Sequence, residues 1–239
     1  MVRVTEPHVD LFLRCNIWHL RGSSRDVVVD AGLGVCPLRS GVPQLFEREP
    51  DLLLTHAHLD HIGGSHEFGA SYAHVDEMAS TPAPGSLRRD ALVSALGLSA
   101  TYAKSLPDVM LTAVPVSDYD VDAYAVRAPQ TCRPISAGDT IDLGDRVLTA
   151  LHLPGHSPGS VAFFEPQEGV LFSGDVVYDL DPGEELLDDI RGAVVADYIN
   201  SLERVADLPV RVVYPGHGEP FGRRRLLTLI RGYIVSRGG

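Results

Sequence analysis

The stretch "DLLLTHAHLDHIGG", residues 51–64, governs how the rest of the chain is read, because three histidines and an aspartate fall within six positions directly after a run of leucines. His56, His58, Asp60 and His61 offer imidazole nitrogens and a carboxylate oxygen. Such donors suit zinc and also serve iron or manganese. In an extended segment His56 and His58 project to the same side, and Asp60 and His61 follow as the chain turns. One tetrahedral ion would struggle to take four ligands from so short a stretch. Two adjacent ions use them more naturally.

Three distant segments add one ligand each: His156 in "LPGHSPGS", Asp175 in "LFSGDVVYD" and His217 in "VVYPGHGEP". Every one sits just beyond an apolar, strand-like run, and strand ends are rigid posts from which loops converge. The seven side chains make two sites if Asp175 is shared. Structural zinc usually saturates with four protein ligands, whereas this set leaves room for water or substrate. A lone histidine beside a strand is most often core or surface, so His8, His19, His66, His74 and His152 are left unassigned.

The 239 residues are 44% apolar and 22% charged, ordinary globular composition with enough chain for a sizeable core. A formal charge of −12 argues against nonspecific binding to nucleic acid or to an anionic membrane. Cys15, Cys36 and Cys132 lie far apart with no CxxC, which disfavours a disulfide scaffold or a thiolate metal site. No segment approaches the roughly 20 apolar residues of a bilayer span, so no membrane insertion is expected. The N-terminus has no apolar core of signal-peptide length, and a cytoplasmic location is the expectation.

Short apolar runs at 26–34, 51–58, 146–156, 169–175 and 210–218 end abruptly in Gly, Pro or Asp and read as strands. "GDTIDLGDRVLTALHL" reads as a hairpin turning at "LGDR". Helical spacing appears in 88–99, with Leu92 and Leu96 one turn apart, and in 193–208, with Val195, Ile199, Leu202 and Val205 as an apolar stripe. The tail 223–235 carries Leu226, Leu227, Ile230 and Ile234 on one broad face. Mixed hairpins and helices suggest an α+β fold of packed sheets covered by helices. Residues 1–239 read as a single domain, with the irregular stretch 76–130 an insertion or cap.

"THAHLDH", "PGHSPGS", "SGDVVYD" and "YPGHG" resemble, in order, the metal motifs of the metallo-β-lactamase fold hydrolases, over roughly residues 15–235. The resemblance implies a four-layer αββα sandwich with a dinuclear centre at one edge between the sheets. It assigns His56, His58 and His156 to one metal and Asp60, His61 and His217 to the other, with Asp175 bridging, and two Zn2+ as the implied cofactors (Fe or Mn being alternatives). Aspartate at 175 is similar to the bridging residue of the glyoxalase II-type branch. The best-known subclass of true β-lactamases has cysteine there. A finer resemblance, in "NIWHLRGSSRDVVVDAGLG", "LFSGDVVYD" and "YPGHGEPFGRRRLLTLIRGYI", is to the metallo-β-lactamase-domain-containing protein 2 group, associated with hydrolysis of acyl-coenzyme A thioesters.

Two divalent cations about 3.5–4 Å apart share a water and lower its pKa enough to give hydroxide near neutral pH. That hydroxide would attack an acyl carbon while one metal stabilises the developing oxyanion, with Asp60 accepting a hydrogen bond from it. A thioester's leaving thiolate, with a thiol pKa near 8.5, needs no strong acid, and this favours a small-molecule thioester substrate. Asp30, at the end of "DVVVD", is placed to orient a metal-bound imidazole through its other ring nitrogen. Gly155, Gly174 and Gly216 each precede a proposed ligand and would allow tight turns. For substrate contacts the candidates are Tyr178 at the pocket mouth, Arg88, Arg89, Arg223, Arg224 and Arg225 against phosphates, and the apolar residues of 87–111 as walls. A hydroxyacylglutathione hydrolase is the nearest rival; it carries a further helical domain, against the short tail after His217 here. Lactones, phosphodiesters and β-lactams share the metal motifs, and a metal-stabilised binding module is the non-enzyme alternative.

Overall fold

Residues 1–78, 85–127, 129–180 and 186–238 are described by a computed structural model. Positions 79–84 and 128 of the expected insertion or cap lie outside the described residues. Two six-stranded sheets carry the fold. The first runs in chain order through β1 (Val2–Val4), β2 (Ile17–Arg21), β3 (Asp26–Val29), β4 (Asp51–Leu53), β5 (Ser71–Ala73) and β6 (Cys132–Pro134). The second runs through β7 (Thr140–Asp142), β8 (Val147–His152), β9 (Val161–Glu165), β10 (Val170–Gly174), β11 (Val212–Pro215) and β12 (Phe221–Gly222). β3 to β6 are mutually parallel, as are β10 and β11, and the remaining pairs are antiparallel. β7 and β8 form the expected hairpin, with Asp142 opposite Val147 across the turn.

Side-chain alternation explains why the strands read as continuous apolar runs. Val27 and Val29 of β3 face Phe163 and Phe172 of the second sheet, while Val28 between them faces outward. Leu53 likewise points between the sheets, with Leu52 and Leu54 outside. Both faces are covered, so both parities are apolar. Fully burying a phenylalanine such as Phe163 contributes roughly 1.5–3 kcal/mol. The outer face of the first sheet packs on the short helices α1 (Leu38–Gly41) and α2 (Leu59–Ile62) through Leu38 and Ile62. A third short helix, α3 (Val75–Met78), follows β5. The fold is therefore α+β, a four-layer αββα sandwich.

Two longer helices close the second sheet, following α4 (Arg89–Leu96) and α5 (Ala100–Ser105) in the chain: α6 (Val195–Asp207) and α7 (Arg223–Ser236). The inward stripe of α6 is Tyr198, Ser201, Leu202 and Val205, at i, i+3, i+4 and i+7. Val195 is exposed and Ile199 only half-buried, so the expected stripe is rotated by about one position. Tyr198 and Ser201 break the aliphatic pattern because both are polar-tipped, yet Tyr198 donates to the Asp175 carbonyl and Ser201 to that of Pro154, each at 2.7 Å. In α7 the buried residues are Leu226, Ile230 and Tyr233, with Leu227 and Ile234 half-buried at the edge.

α4 and α5 belong to the 85–127 segment. Leu87, Leu92, Leu96, Leu98, Leu106 and Met110 pack there against Val9, Leu13, Leu33 and Leu59. No helix among the described residues is long and apolar enough to cross a membrane.

Candidate metal centre

Four chain segments deliver side chains to one edge of the sandwich, each from just past the C-terminal end of a strand. His56 and His58 follow β4, and α2 then carries Asp60 and His61. His156 follows β8, Asp175 follows β10 and His217 follows β11. Asn16 and Trp18 tie the two sheets together at this edge: the Asn16 side-chain amide and the Trp18 indole N–H both donate to the Pro215 carbonyl at 3.0 Å.

The seven expected ligands converge. His56 Nε2 lies 2.9 Å and His156 Nε2 3.0 Å from His58 Nδ1. His61 Nε2 and His217 Nε2 are 3.3 Å apart, with Asp60 Oδ2 3.3 Å from the latter. Asp175 stands between the groups. Its Oδ1 is 3.3 Å from His61 Nε2, and its Oδ2 is 3.4 Å from His217 Nε2 and 3.6 Å from His156 Nε2. The groups His56–His58–His156 and Asp60–His61–His217 could each hold a metal ion.

The outward ring nitrogens fix which way each imidazole presents its lone pair. His156 Nδ1 donates to the Leu187 carbonyl at 3.0 Å and His217 Nδ1 to that of Arg14 at 3.1 Å. His61 Nδ1 donates to Asp30 Oδ2 at 2.8 Å. Thr55 gives its hydroxyl proton to the same oxygen at 2.8 Å and so accepts from His56 Nδ1 at 3.1 Å. Asp30 thus steadies one histidine of each group, directly and through Thr55. It does so from the left-handed region at φ +60°, and its Oδ1 also accepts the Thr55 N–H at 2.8 Å.

The donor set itself asks for a cation. With Nδ1 protons on Thr55 and Leu187, His56 and His156 both aim lone pairs at His58 Nδ1, which has at most one proton to share. Imidazole nitrogens 2.0–2.1 Å from a tetrahedral zinc sit about 3.3 Å apart, close to the spacings here. Burial holds His56 well below its ordinary value, and burial with the neighbouring His156 pushes His58 down to about 3. Burial also disfavours a charged His217, but Asp175 and Asp60 outweigh it and push the group up to about 10. Burial opposes charge on Asp175 too, and His217 and His61 overcome it, holding the carboxyl well below its usual range. Asp175 Oδ1 is buried without a hydrogen-bond partner. An acceptor buried without a partner costs stability, and a metal ion would satisfy it.

Of the three expected turn glycines, Gly155 and Gly174 have φ of +144° and +49°, but Gly216 does not need a left-handed backbone. Its requirement is space: a Cβ there would lie 2.3 Å from Asp175 Oδ1 and 2.8 Å from His61 Cε1.

A cleft of about 600 Å³ opens onto the centre, reaching His58, Asp60, His156, Asp175 and His217. Leu11, Phe12, Leu13, Leu96, Leu106 and Leu187 form much of its wall, and Tyr178 and Asp179 line it as well. Arg88, Arg89, Arg223, Arg224 and Arg225 do not line it. Arg88 pairs with Asp122 at 2.8 Å and Arg89 with Asp108 at 2.7 Å. Arg223 donates to the Leu208 and Ala206 carbonyls at the end of α6, where a cation meets the helix dipole favourably. Arg224 is exposed at the start of α7, and Arg225 grips the cleft residue Asp179 with two bonds of 2.6 and 2.7 Å.

Glu77 has no signature in the sequence that marks it as a site residue. Its buried carboxylate accepts the Ala57 N–H at 2.8 Å and the Ser157 hydroxyl and Gly159 N–H at 2.7 Å, joining the loops that carry His56, His58 and His156. His74 and His152, outside the two groups, stack at 4.0 Å with an interplanar angle of 10°.

The sequence model of the metallo-beta-lactamase superfamily matches residues 11–217. The chain belongs to that superfamily. It is 35% identical over 241 residues to the acyl-coenzyme A thioesterase MBLAC2 of Homo sapiens, covering 94% of this chain and 80% of that protein. The protein of the same name from Gallus gallus is 36% identical over 238 residues, with the same coverage. Among solved structures, a metallo-beta-lactamase family protein of Thermus thermophilus superposes with a TM-score of 0.65 at 27% identity, over 98% of this chain and 78% of that one. Like other members of the superfamily, this chain has clustered His and Asp side chains suited to binding metal.

Proposed function

We propose that this protein hydrolyses thioesters, with acyl-coenzyme A as the substrate class. The observation that carries the reading is the apolar-walled cleft whose floor is the His/Asp centre. Its walls suit an acyl chain and its floor suits the thioester carbonyl, and relatives covering 94% of the chain are named for this activity. His56, His58 and His156 hold one divalent cation and Asp60, His61 and His217 a second, with Asp175 between them; zinc, iron and manganese all accept these donors. When bound, such a pair supplies Lewis acidity at the carbonyl and a water of lowered pKa.

The chain's own residues do the rest. Asp60 accepts a hydrogen bond from the attacking water and aims it. Asp30 keeps His61 Nε2 and, through Thr55, His56 Nε2 facing the centre. Tyr178 and Asp179, the latter held by Arg225, border the thiol portion of the substrate. The described part of 76–130 acts as a cap whose Leu96 and Leu106 shelter the acyl chain. The departing thiolate, a tolerable anion given a thiol pKa of about 8.5, leaves without a protonating residue.

Thiol release from acyl-coenzyme A, acyl-glutathione and acyl-carrier-protein substrates, alongside metal quantification, tests the reading. Rapid turnover of another thioester with none of acyl-coenzyme A would remove the substrate class. Phe12→Ala should lower kcat/KM for long-chain substrates roughly 10-fold, at about 0.8 kcal/mol per methylene no longer covered, and leave acetyl-coenzyme A unchanged. Equal loss for both chain lengths would refute the acyl wall. Asp30→Asn, which weakens the anchors of both metal groups, should lower metal affinity about 10–100-fold in a chelator competition. Unaltered affinity would take Asp30 out of the centre.

A further inference from the structure

Resting on that metal assignment, we infer that Asp188, Tyr233 and Arg237 form a clamp that positions His156 from the C-terminal helix. The link runs through the backbone of Leu187. Its carbonyl accepts His156 Nδ1–H at 3.0 Å, and its N–H donates to the Tyr178 hydroxyl at 2.6 Å. The next residue, Asp188, is held on both oxygens. Arg237 Nε and Tyr233 Oη donate to Oδ2 at 2.6 and 2.7 Å, and Arg237 Nη2 donates to Oδ1 at 2.9 Å. The Arg237 guanidinium lies over the Tyr233 ring, 5.2 Å from its centre, so donor and ring are mutually fixed.

A forked arginine–carboxylate pair constrains orientation as well as distance, and the Asp188 side chain is 9% exposed, which limits solvent competition. The stretch 186–190 has no helix or strand of its own. Its position against His156 therefore comes from side-chain contacts, and this clamp supplies three of them. Tyr233 also packs on Tyr198, with ring centres 4.9 Å apart, and Tyr198 holds the Asp175 carbonyl. Among the candidate ligands, the His156 imidazole is the one whose outward nitrogen depends on this strap. The three residues are positioning residues: they select the His156 tautomer that turns Nε2 inward, and they touch no reacting atom.

The test uses the full chain loaded with zinc. Nitrogen-correlated proton NMR should show a slowly exchanging His156 Nδ1–H in the parent protein. That signal should broaden or vanish in Asp188→Asn and Arg237→Ala, and partly return in Arg237→Lys, which keeps the charge but loses the fork. In stepwise Co2+ titration of metal-free protein followed by the visible spectrum, the same variants should weaken one metal equivalent about 10–100-fold and leave the other unchanged. An equally protected His156 proton in Asp188→Asn would overturn the clamp. So would parallel weakening of both metal equivalents, which is the mark of general loosening. If the parent protein takes up no metal, the metal assignment fails on its own, and the protection of the imidazole proton in metal-free protein still decides the clamp.

Discussion

Asp175→Asn should cut the proposed thioester turnover by at least about 100-fold and cost the protein at least one of the two proposed metal equivalents. Changes one shell further out already cost 10–100-fold, and Asp175 reaches both groups. Its two oxygens lie 3.3–3.6 Å from His61, His217 and His156. Asparagine keeps one oxygen and turns an amide N–H2 toward one of those groups, where every neighbour is a cation or the lone pair meant for one. It also removes the negative charge that favours a cation beside His61 and His217. Metal content of desalted protein by mass spectrometry, with thiol release on the same sample, reads both effects. Full metal content at an unchanged rate would show that Asp175 does not join the groups.

The second large effect is expected from a single methyl group. Gly216→Ala places a Cβ where Asp175 Oδ1 and His61 Cε1 already are, at 2.3 and 2.8 Å. The backbone there has little room to yield, since Gly216 donates to the Gly174 carbonyl at 2.9 Å and its own carbonyl accepts the Asn16 N–H at 2.6 Å. Either the carboxylate and the imidazole swing away or the strand-end loop shifts, and both pull the metal groups apart. Turnover should fall by at least about 100-fold, with metal-free stability lower by about 1–3 kcal/mol from overpacking. Gly232→Ala is the control. It lies in α7, where an added methyl would meet nothing within 4 Å, and removing a helical glycine should raise stability by about 0.5–1 kcal/mol. Denaturant melts of the two variants with activity at saturating zinc separate the outcomes. Near-native activity of Gly216→Ala would mean that the centre tolerates displacement.

The centre is legible in the sequence because its evidence is local: four donors in six residues, then single donors after strand-like runs, each a pattern of composition within ten positions. The sheets are legible for the same reason, since residues such as Val27 to Val29 are apolar on both faces. What stays hidden acts across the fold. Glu77 sits in "HVDEM" without any signature, and its role exists only because β5 brings it beneath the loops of His56 and His156. Leu187 orients a histidine through a carbonyl that every residue possesses. Tyr198 escapes the α6 stripe because a polar-tipped ring breaks a pattern built on aliphatic residues. The arginine cluster at 223–225 invites one reading as a charge patch, yet its members go separately to a helix end, to solvent and to Asp179. Charge runs report composition, and partners are set by topology.

The site is split along the chain as unevenly as it is shared between the sheets. Four of its donors are present once residue 61 has been synthesised, while His217 is separated from His61 by 156 positions. On a ribosome the early donors must wait for most of the second sheet, and contacts of such long sequence separation form late and slowly. Completion of the donor set therefore reports that the two sheets have come together, and a nascent chain stalled before β11 would carry an incomplete set.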